Sequence, residues 1–188
     1  ERDNISLLIW LLHKYLDQYH PPQQSIAACP HWWELIVVDD ASPDGTAELV
    51  KQLQTDTMLG TNLKLVQRAG KQGLGTAYLS GMQQARGEWV VLMDADLSHH
   101  PRHIPQFFEQ QACTGCDVVC GTRYARGGGV AGWGLLRKLT SRGANLLASA
   151  LLGTRVSDLT GSYRLYRRDK LVALLGATAS RGYAFQME

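Results

Sequence analysis

The run Trp89-Val90-Val91-Leu92-Met93-Asp94-Ala95-Asp96 constrains the fold more than any other stretch. Five apolar residues end abruptly in two carboxylates spaced one residue apart. Five residues is strand length, and the lack of apolar–polar alternation suits a strand covered on both faces, as in the middle of a parallel sheet. Open α/β sheets bind ligands beyond the carboxyl ends of their strands, which puts Asp94 and Asp96 at the rim of a cleft. Two hard oxygen donors this close repel each other unless a cation or a proton lies between them. Mg²⁺ is commonly held by one or two carboxylates together with substrate phosphates. The pair is therefore a candidate metal-diphosphate site. A helix N-cap beside a solvated acid is the competing reading, because Pro101 opens a helix soon after.

The chain of 188 residues is long enough for one domain with a substantial core, and its 45% hydrophobic and 19% charged content is globular. A net charge of +2, from 19 basic and 17 acidic residues, does not mark a nucleic-acid binder. Four cysteines, Cys29, Cys113, Cys116 and Cys120, imply no disulfide framework. Cys113-x-x-Cys116 has the spacing of a zinc knuckle but lacks a fourth ligand, and ordinary buried thiols are the expectation. No run approaches the ~20 apolar residues that span a bilayer, so membrane contact is expected to be peripheral or to lie outside this chain.

Ile5, Leu8, Ile9, Leu12 and Leu16 recur at helical spacing behind Asn4, a plausible cap. A helix opening an α/β chain with no strand before it suggests that the first strand lies outside this sequence. Residues 19–33 carry Pro21, Pro22 and Pro30 and read as an exposed loop, with His31, Trp32 and Trp33 as packing residues. Leu35-Ile36-Val37-Val38 is a second apolar strand ending in acids, Asp39 and Asp40, followed by the turn Pro43-Asp44-Gly45 and a helix from Thr46 to about Gln54. Two strands ending in paired acids argue for a shared ligand.

Leu63–Val66 is a third strand. Gly70-Lys71-Gln72-Gly73-Leu74-Gly75-Thr76 then enters a helix through Ala85, a glycine-rich entry that suits a bound anion or an ordinary tight turn. His99 and His100 can bind metal or substrate, or serve packing and capping. A helix running to about Ala112 precedes the strand Asp117–Cys120, which delivers Arg123 to the same rim. There Arg123 can hold a phosphate or pair with a nearby Asp. The glycine-rich run 126–134 leads to an apolar helical stretch, 135–152, that includes Arg137, Lys138 and Arg142. It fits a membrane interface and an ordinary core helix equally. A turn at Asp158–Ser162, a strand at Tyr163–Arg167 and a short helix at Asp169–Leu175 complete the reading.

Together these motifs resemble the dolichol-phosphate mannosyltransferase family of inverting family 2 glycosyltransferases. The resemblance rests on Val37–Thr46, Gly73–Tyr78, Met93–His100, Gly121–Tyr124, Ser141–Asn145, Asp158–Arg164 and Tyr183–Glu188, and runs the length of the chain. It implies a single α/β domain of the Rossmann-like nucleotide-diphospho-sugar transferase (GT-A) type over 1–188, a mostly parallel central sheet with helices on both faces, lacking the first strand and the C-terminal part. It implies transfer of mannose, with inversion, from GDP-mannose to dolichyl phosphate, aided by Mg²⁺ or Mn²⁺. Its setting would be the cytoplasmic face of the endoplasmic reticulum membrane, serving protein glycosylation and GPI anchor biosynthesis, with small membrane-anchoring subunits as further partners.

By the same resemblance, Glu1, Asp39, Asp40, Lys71, Asp94, Ala95 and Asp96 would contact the donor. Asp94 and Asp96 would hold the metal, with Ser98 a further candidate where bacterial and archaeal relatives tend to carry Gln. Arg123, Arg137 and Ser141 would grip the lipid phosphate, and Asp94, Asp96 and Arg123 form the catalytic set. A phosphate acceptor is already an anion and needs no general base. Two alternatives stay open: a sibling enzyme using another nucleotide sugar such as UDP-glucose, and a non-catalytic nucleotide-sugar-binding subunit.

Overall fold

The computed structural model describes residues 1–20, 32–60, 62–124, 134–153 and 156–177. The opening helix α1 spans Arg2–Leu16 and buries Ile5, Leu8, Ile9, Leu12 and Leu16, the five residues its spacing selects. Asn4 is not its cap. The helix begins earlier because Oδ2 of Asp44, 42 residues on, accepts the N–H of Arg2 at 3.1 Å and a hydrogen from the Glu1 nitrogen at 2.8 Å. Trp32 and Trp33 close the far end of α1, donating their indole N–H groups to the Leu16 carbonyl and to Asp17. Pro21 to His31 lie outside the described residues.

Among the described residues, five strands and five more helices follow. In chain order they are β1 (Leu35–Asp39), α2 (Thr46–Gln54), β2 (Leu63–Gln67), α3 (Leu74–Met82), β3 (Trp89–Leu92), α4 (Ile104–Thr114), β4 (Val118–Cys120), α5 (Leu135–Leu152), β5 (Arg164–Arg167) and α6 (Arg168–Ala177). Pro101–His103 forms a 3-10 turn ahead of α4. β1 and β2 pair in parallel, Leu35 opposite Leu63 through Asp39 opposite Gln67. β5 runs antiparallel between β3 and β4, with Val90 opposite Tyr166 and Val119 opposite Leu165. Sharing an antiparallel neighbour, β3 and β4 point the same way.

Strand alternation sorts the side chains into two layers. Leu35, Val37, Trp89, Val91 and Leu165 face Ile5, Leu8, Leu12, Val50 and Phe107 from α1, α2 and α4. Val90, Leu92, Val118 and Tyr166 face Met82, Leu171 and Leu175 from α3 and α6. The sheet is thus covered on both faces, which is why its strands read as unbroken apolar runs. Even so, every residue of β3 is only half-buried, as are Leu35–Val38 of β1, whereas Arg164, Leu165 and Tyr166 of β5 are buried. Faces covered by helices with residues still partly open means that an edge is exposed.

α5 departs from an ordinary core helix. Leu136, Leu139, Leu146 and Leu147 are exposed, and Asn145 is buried. Among the described residues no helix is long and apolar enough to cross a membrane. Cys113 and Cys116, at the end of α4, are exposed free thiols rather than buried ones, and Cys120 is half-buried; Cys29 lies outside the described residues.

Candidate active site

The carboxyl ends of β1, β3 and β4 open on one cavity of about 2750 Å³, lined by Glu1, Asp39, Asp40, Lys71, Asp94, Ala95, Asp96, Ser98 and Arg123 among others. The separate acids and bases of the sequence therefore share one rim. They differ in what already neutralises them. Asp40 is gripped by Arg68, whose Nε and Nη2 donate at 2.5 and 2.6 Å while Nη1 reaches Thr76 at the start of α3. Asp39 is buried and accepts the Ser42 N–H. Lys71 stands exposed on the loop before α3.

Arg123 is likewise committed. Asp158, 1% exposed, takes its Nε and Nη2 at 2.7 Å each, and Nη2 also reaches Thr160 Oγ1 at 2.6 Å. Burial pushes the Asp158 carboxyl up, but the hydrogen bonds from Arg123 outweigh it and hold it below the usual carboxylate range. The turn that presents Asp158 is fixed by Asn145 of α5, whose amide donates to the Ser157 carbonyl and accepts the Leu159 N–H. Ser141, one turn earlier, is bonded to the Tyr124 hydroxyl at 2.5 Å. The side chain of Arg137 lies outside the described residues.

Asp94 and Asp96 have no Arg or Lys partner among the described residues. Asp96 is exposed and accepts the Ser98 N–H at 2.9 Å. Its carboxyl lies below the ordinary value because, against a burial effect of the opposite sign, Ser98 bonds favour the anion. Asp94, its side chain 46% exposed, accepts the Ser162 hydroxyl at 2.9 Å. Its own N–H donates to Nδ1 of His99 at 2.9 Å, which leaves the ring proton on Nε2. His99 stacks on Tyr163 with centroids 4.7 Å apart. Burial lowers its pKa, and the charges of Asp94 and Asp96 recover only part of the loss. His99 is thus a neutral brace behind Asp94, and His100 caps the 3-10 turn through the Arg102 N–H.

Among the described residues two that are not glycine adopt positive φ, Ala41 at 55° and Leu97 at 65°, and each directly follows one of the acid pairs. The left-handed turn at Leu97 lets the Ser98 amide fold back onto Asp96. Such conformations cost about 1–2 kcal/mol each and persist where surrounding contacts impose them.

The uncompensated pair fits a hard divalent ion: two oxygen donors, open to the cavity, braced by neutral groups. Among the described residues no group of three or more His, Cys, Asp or Glu side chains is assembled for a metal, so further ligands would come from a bound diphosphate and water. Ser98 offers the pair its main-chain N–H; Asp39 and Asp40, on the same lining, are bonded to the Ser42 N–H and to Arg68. Sequence reasoning assigned no role to Asp158, Ser162, Asn145 or Arg68. The first three sit inside motifs it had singled out, which was the available signal.

Strands that end in acids at one rim of a doubly covered α/β sheet form a Rossmann-like ligand site, and with the family and structural matches the class is the nucleotide-diphospho-sugar transferase, or GT-A, fold. The chain belongs to glycosyl transferase family 2, whose profile matches residues 23–175. It is 35% identical over 192 residues to polyprenol monophosphomannose synthase of Mycolicibacterium smegmatis, covering 100% of this chain and 66% of that protein. It is 38% identical over 159 residues to undecaprenyl-phosphate mannosyltransferase of Micrococcus luteus, covering 82% and 63%. The chain thus spans just under two thirds of these relatives. Among solved structures it resembles glucosyl-3-phosphoglycerate synthase of Mycobacterium tuberculosis bound to phosphoglyceric acid, with a TM-score of 0.62, 21% identity, and 100% and 59% coverage. The same enzyme with Mn²⁺, UDP-glucose and phosphoglyceric acid gives a TM-score of 0.54 at 21% identity, covering 82% and 51%. These likenesses show the fold.

Proposed function

We propose that the chain forms the catalytic part of a transferase that moves mannose from GDP-mannose to a polyprenyl-type lipid phosphate, dolichyl phosphate by its sequence motifs. One observation carries the reading. Of the described acids at the rim, Asp40 and Asp158 are neutralised by arginines and Asp39 is buried, whereas Asp94 and Asp96 are open to the cavity without an Arg or Lys partner and can meet a cation and the diphosphate it accompanies. The names of the Mycolicibacterium and Micrococcus relatives support mannose and a polyprenyl phosphate. A structural neighbour whose crystals hold Mn²⁺ with UDP-glucose supports a divalent ion, Mg²⁺ or Mn²⁺.

The residues divide the work electrostatically. Asp94 and Asp96 hold the ion, which when bound would neutralise charge on the leaving diphosphate. Ser162 and His99 keep Asp94 aimed. To Asp39, Asp40, Lys71, Ala95 and Glu1, which line the same cavity, the reading assigns the nucleotide. Arg123, Arg137 and Ser141 serve the acceptor phosphate; Arg123 does so while tethered by Asp158, which fixes its orientation at the expense of some of its charge. A lipid phosphate anion attacks without losing a proton, and direct displacement inverts the anomeric centre.

The exposed leucines of α5 supply an apolar face for the membrane that holds the acceptor. With dolichyl phosphate as acceptor, that membrane is the cytoplasmic face of the endoplasmic reticulum, where small anchoring subunits would assist. The test is a transfer assay with the full-length protein, offering GDP-mannose and UDP-glucose against dolichyl and undecaprenyl phosphates. Turnover of UDP-glucose without GDP-mannose would overturn the donor assignment. GDP binding indifferent to Mn²⁺, with no transfer, would favour a scaffold subunit.

A further inference from the structure

Arg123 stands on the loop after β4, yet it is held from two sides, and both holds trace back to α5. On one side Asp158 accepts from its Nε, its Nη2 and its main-chain N–H, the last at 3.1 Å. Asp158 sits on a turn that closes over Asn145, whose amide donates to the Ser157 carbonyl at 2.5 Å and accepts the Leu159 N–H at 2.8 Å. Asn145 is only 7% exposed, so water is poorly placed to replace either bond. On the other side the Arg123 guanidinium lies over the Tyr124 ring, 5.4 Å from its centre, and the Tyr124 hydroxyl is bonded to Ser141.

Ser141 and Asn145 are four residues apart in sequence and therefore share a face of α5. At 3.6 residues per turn they lie within about 40° of each other around the helix axis, while the exposed Leu136, Leu139, Leu146 and Leu147 group roughly half a turn away. The helix is two-sided in a way that its apolar composition hides. One side carries the leucines outward; the other presents two polar residues to the partners of Arg123.

An arginine side chain has many rotamers and must give them up to grip a phosphate. Contacts that hold it beforehand move that loss from binding into folding. Arg123 lines the cavity with its side chain 28% exposed, so the held guanidinium still meets a ligand there.

Resting on the assignment of Arg123 to the acceptor phosphate, we propose that Tyr124 and Asn145 are positioning residues through which α5 fixes the orientation of Arg123. Asn145 acts by way of Asp158, and Tyr124 by way of its ring. Neither touches the phosphate. The leucine face of α5 and the arginine that meets the phosphate thereby belong to one hydrogen-bonded unit, and rolling the helix would turn the guanidinium away from its ligand.

The test uses the full-length protein carrying Tyr124→Phe, Asn145→Ala or Arg123→Ala, and the two double variants that combine Arg123→Ala with each of the others. Steady-state transfer from GDP-mannose to citronellyl phosphate, a soluble prenyl phosphate, gives the acceptor KM, and calorimetry gives Kd for GDP with Mn²⁺. The acceptor KM should rise about threefold in Tyr124→Phe and at least about tenfold in Asn145→Ala, with GDP affinity within about twofold of wild type. In the Arg123→Ala background neither change should add a further loss, because both act through that side chain. A purely structural role would weaken acceptor and GDP alike, or add its full effect in the double variants, and either result overturns the proposal. Should Asn145→Ala fold poorly, Tyr124→Phe, which deletes one hydroxyl and keeps the ring, decides alone. NMR supplies a readout independent of turnover: exchange of the Arg123 Nε–H with water should quicken at least about tenfold in Asn145→Ala and about threefold in Tyr124→Phe. Rates equal to wild type in both overturn the proposal. Failure of the acceptor reading is separately visible as an absence of transfer, or as an acceptor KM that Arg123→Ala leaves unchanged; the Nε–H rates then decide whether α5 holds the side chain.

Discussion

The pairing of Arg123 with Asp158 should be the most consequential polar contact at the rim, and its asymmetry makes it testable. Asp158 is 1% exposed and Arg123 28%, so the acid depends on the base more than the reverse. Exposed ion pairs are worth ~0.2–1 kcal/mol, and breaking a buried pair costs ~3–5 kcal/mol. Arg123→Ala strands a buried carboxylate and should cost about 3 kcal/mol, or roughly 6–12 °C in melting temperature for a domain of this size. Asp158→Asn keeps the shape and leaves a partly hydrated guanidinium, so about 2 kcal/mol is expected. The double variant should fall short of the sum by about 2 kcal/mol. Urea denaturation at pH 7 measures all three.

A second readout follows from the sign of the linkage. In the wild type the folded Asp158 pKa is depressed, so the pair's contribution is full above the ordinary carboxylate pKa of ~3.9 and is lost as pH falls through the lower folded value. Without the Arg123 guanidinium, burial is opposed only by the residue-123 N–H and the Thr160 hydroxyl, so the carboxyl titrates above its wild-type value and the variant gains stability relative to the wild type on acidification. The gap between wild type and Arg123→Ala should therefore narrow from pH 7 to pH 4. Additive single effects, or a gap independent of pH, would refute the reasoning.

Three further outcomes are expected. Asp96→Asn should weaken Mn²⁺-dependent GDP binding at least about tenfold, ~1.4 kcal/mol by calorimetry, while moving the melting temperature by less than ~2 °C, since the side chain is exposed. Thermal stability should decline as pH drops below ~6.5, because the unfolded chain protonates His99 more readily than the folded one, and His99→Gln should flatten that limb in a scanning-fluorimetry series. Gly121→Ala would place a Cβ 2.9 Å from the Tyr163 carbonyl, part of the pairing that seats β4 on β5, and should cost about 1–3 kcal/mol in chemical denaturation.

The strands β1, β2, β3 and β4 and the helices α1 and α2 were legible because apolar runs and 3.6-residue spacing are local signals. The direction of β5 was not. Four residues, Arg164–Arg167, give no clue that their neighbours are β3 and β4 rather than the next parallel strand. The acids at the strand ends were equally legible, but their division into compensated and uncompensated ones was not, because it depends on partners 28 and 35 residues away. The cap of α1 failed for the same reason: Asn4 is the local candidate, and Asp44 won from a distance. For α5, apolar composition alone did not show which residues reach the surface: Leu136, Leu139, Leu146 and Leu147 do, while Asn145 is buried because it holds the turn at Asp158.

The exposed thiols of Cys113 and Cys116 have a practical side for anyone purifying this protein. Air oxidation couples such thiols to those of a second molecule, and the covalent dimer that results would imitate self-association in a sizing experiment. Fresh reductant, exchanged out before any manganese titration, removes that artefact.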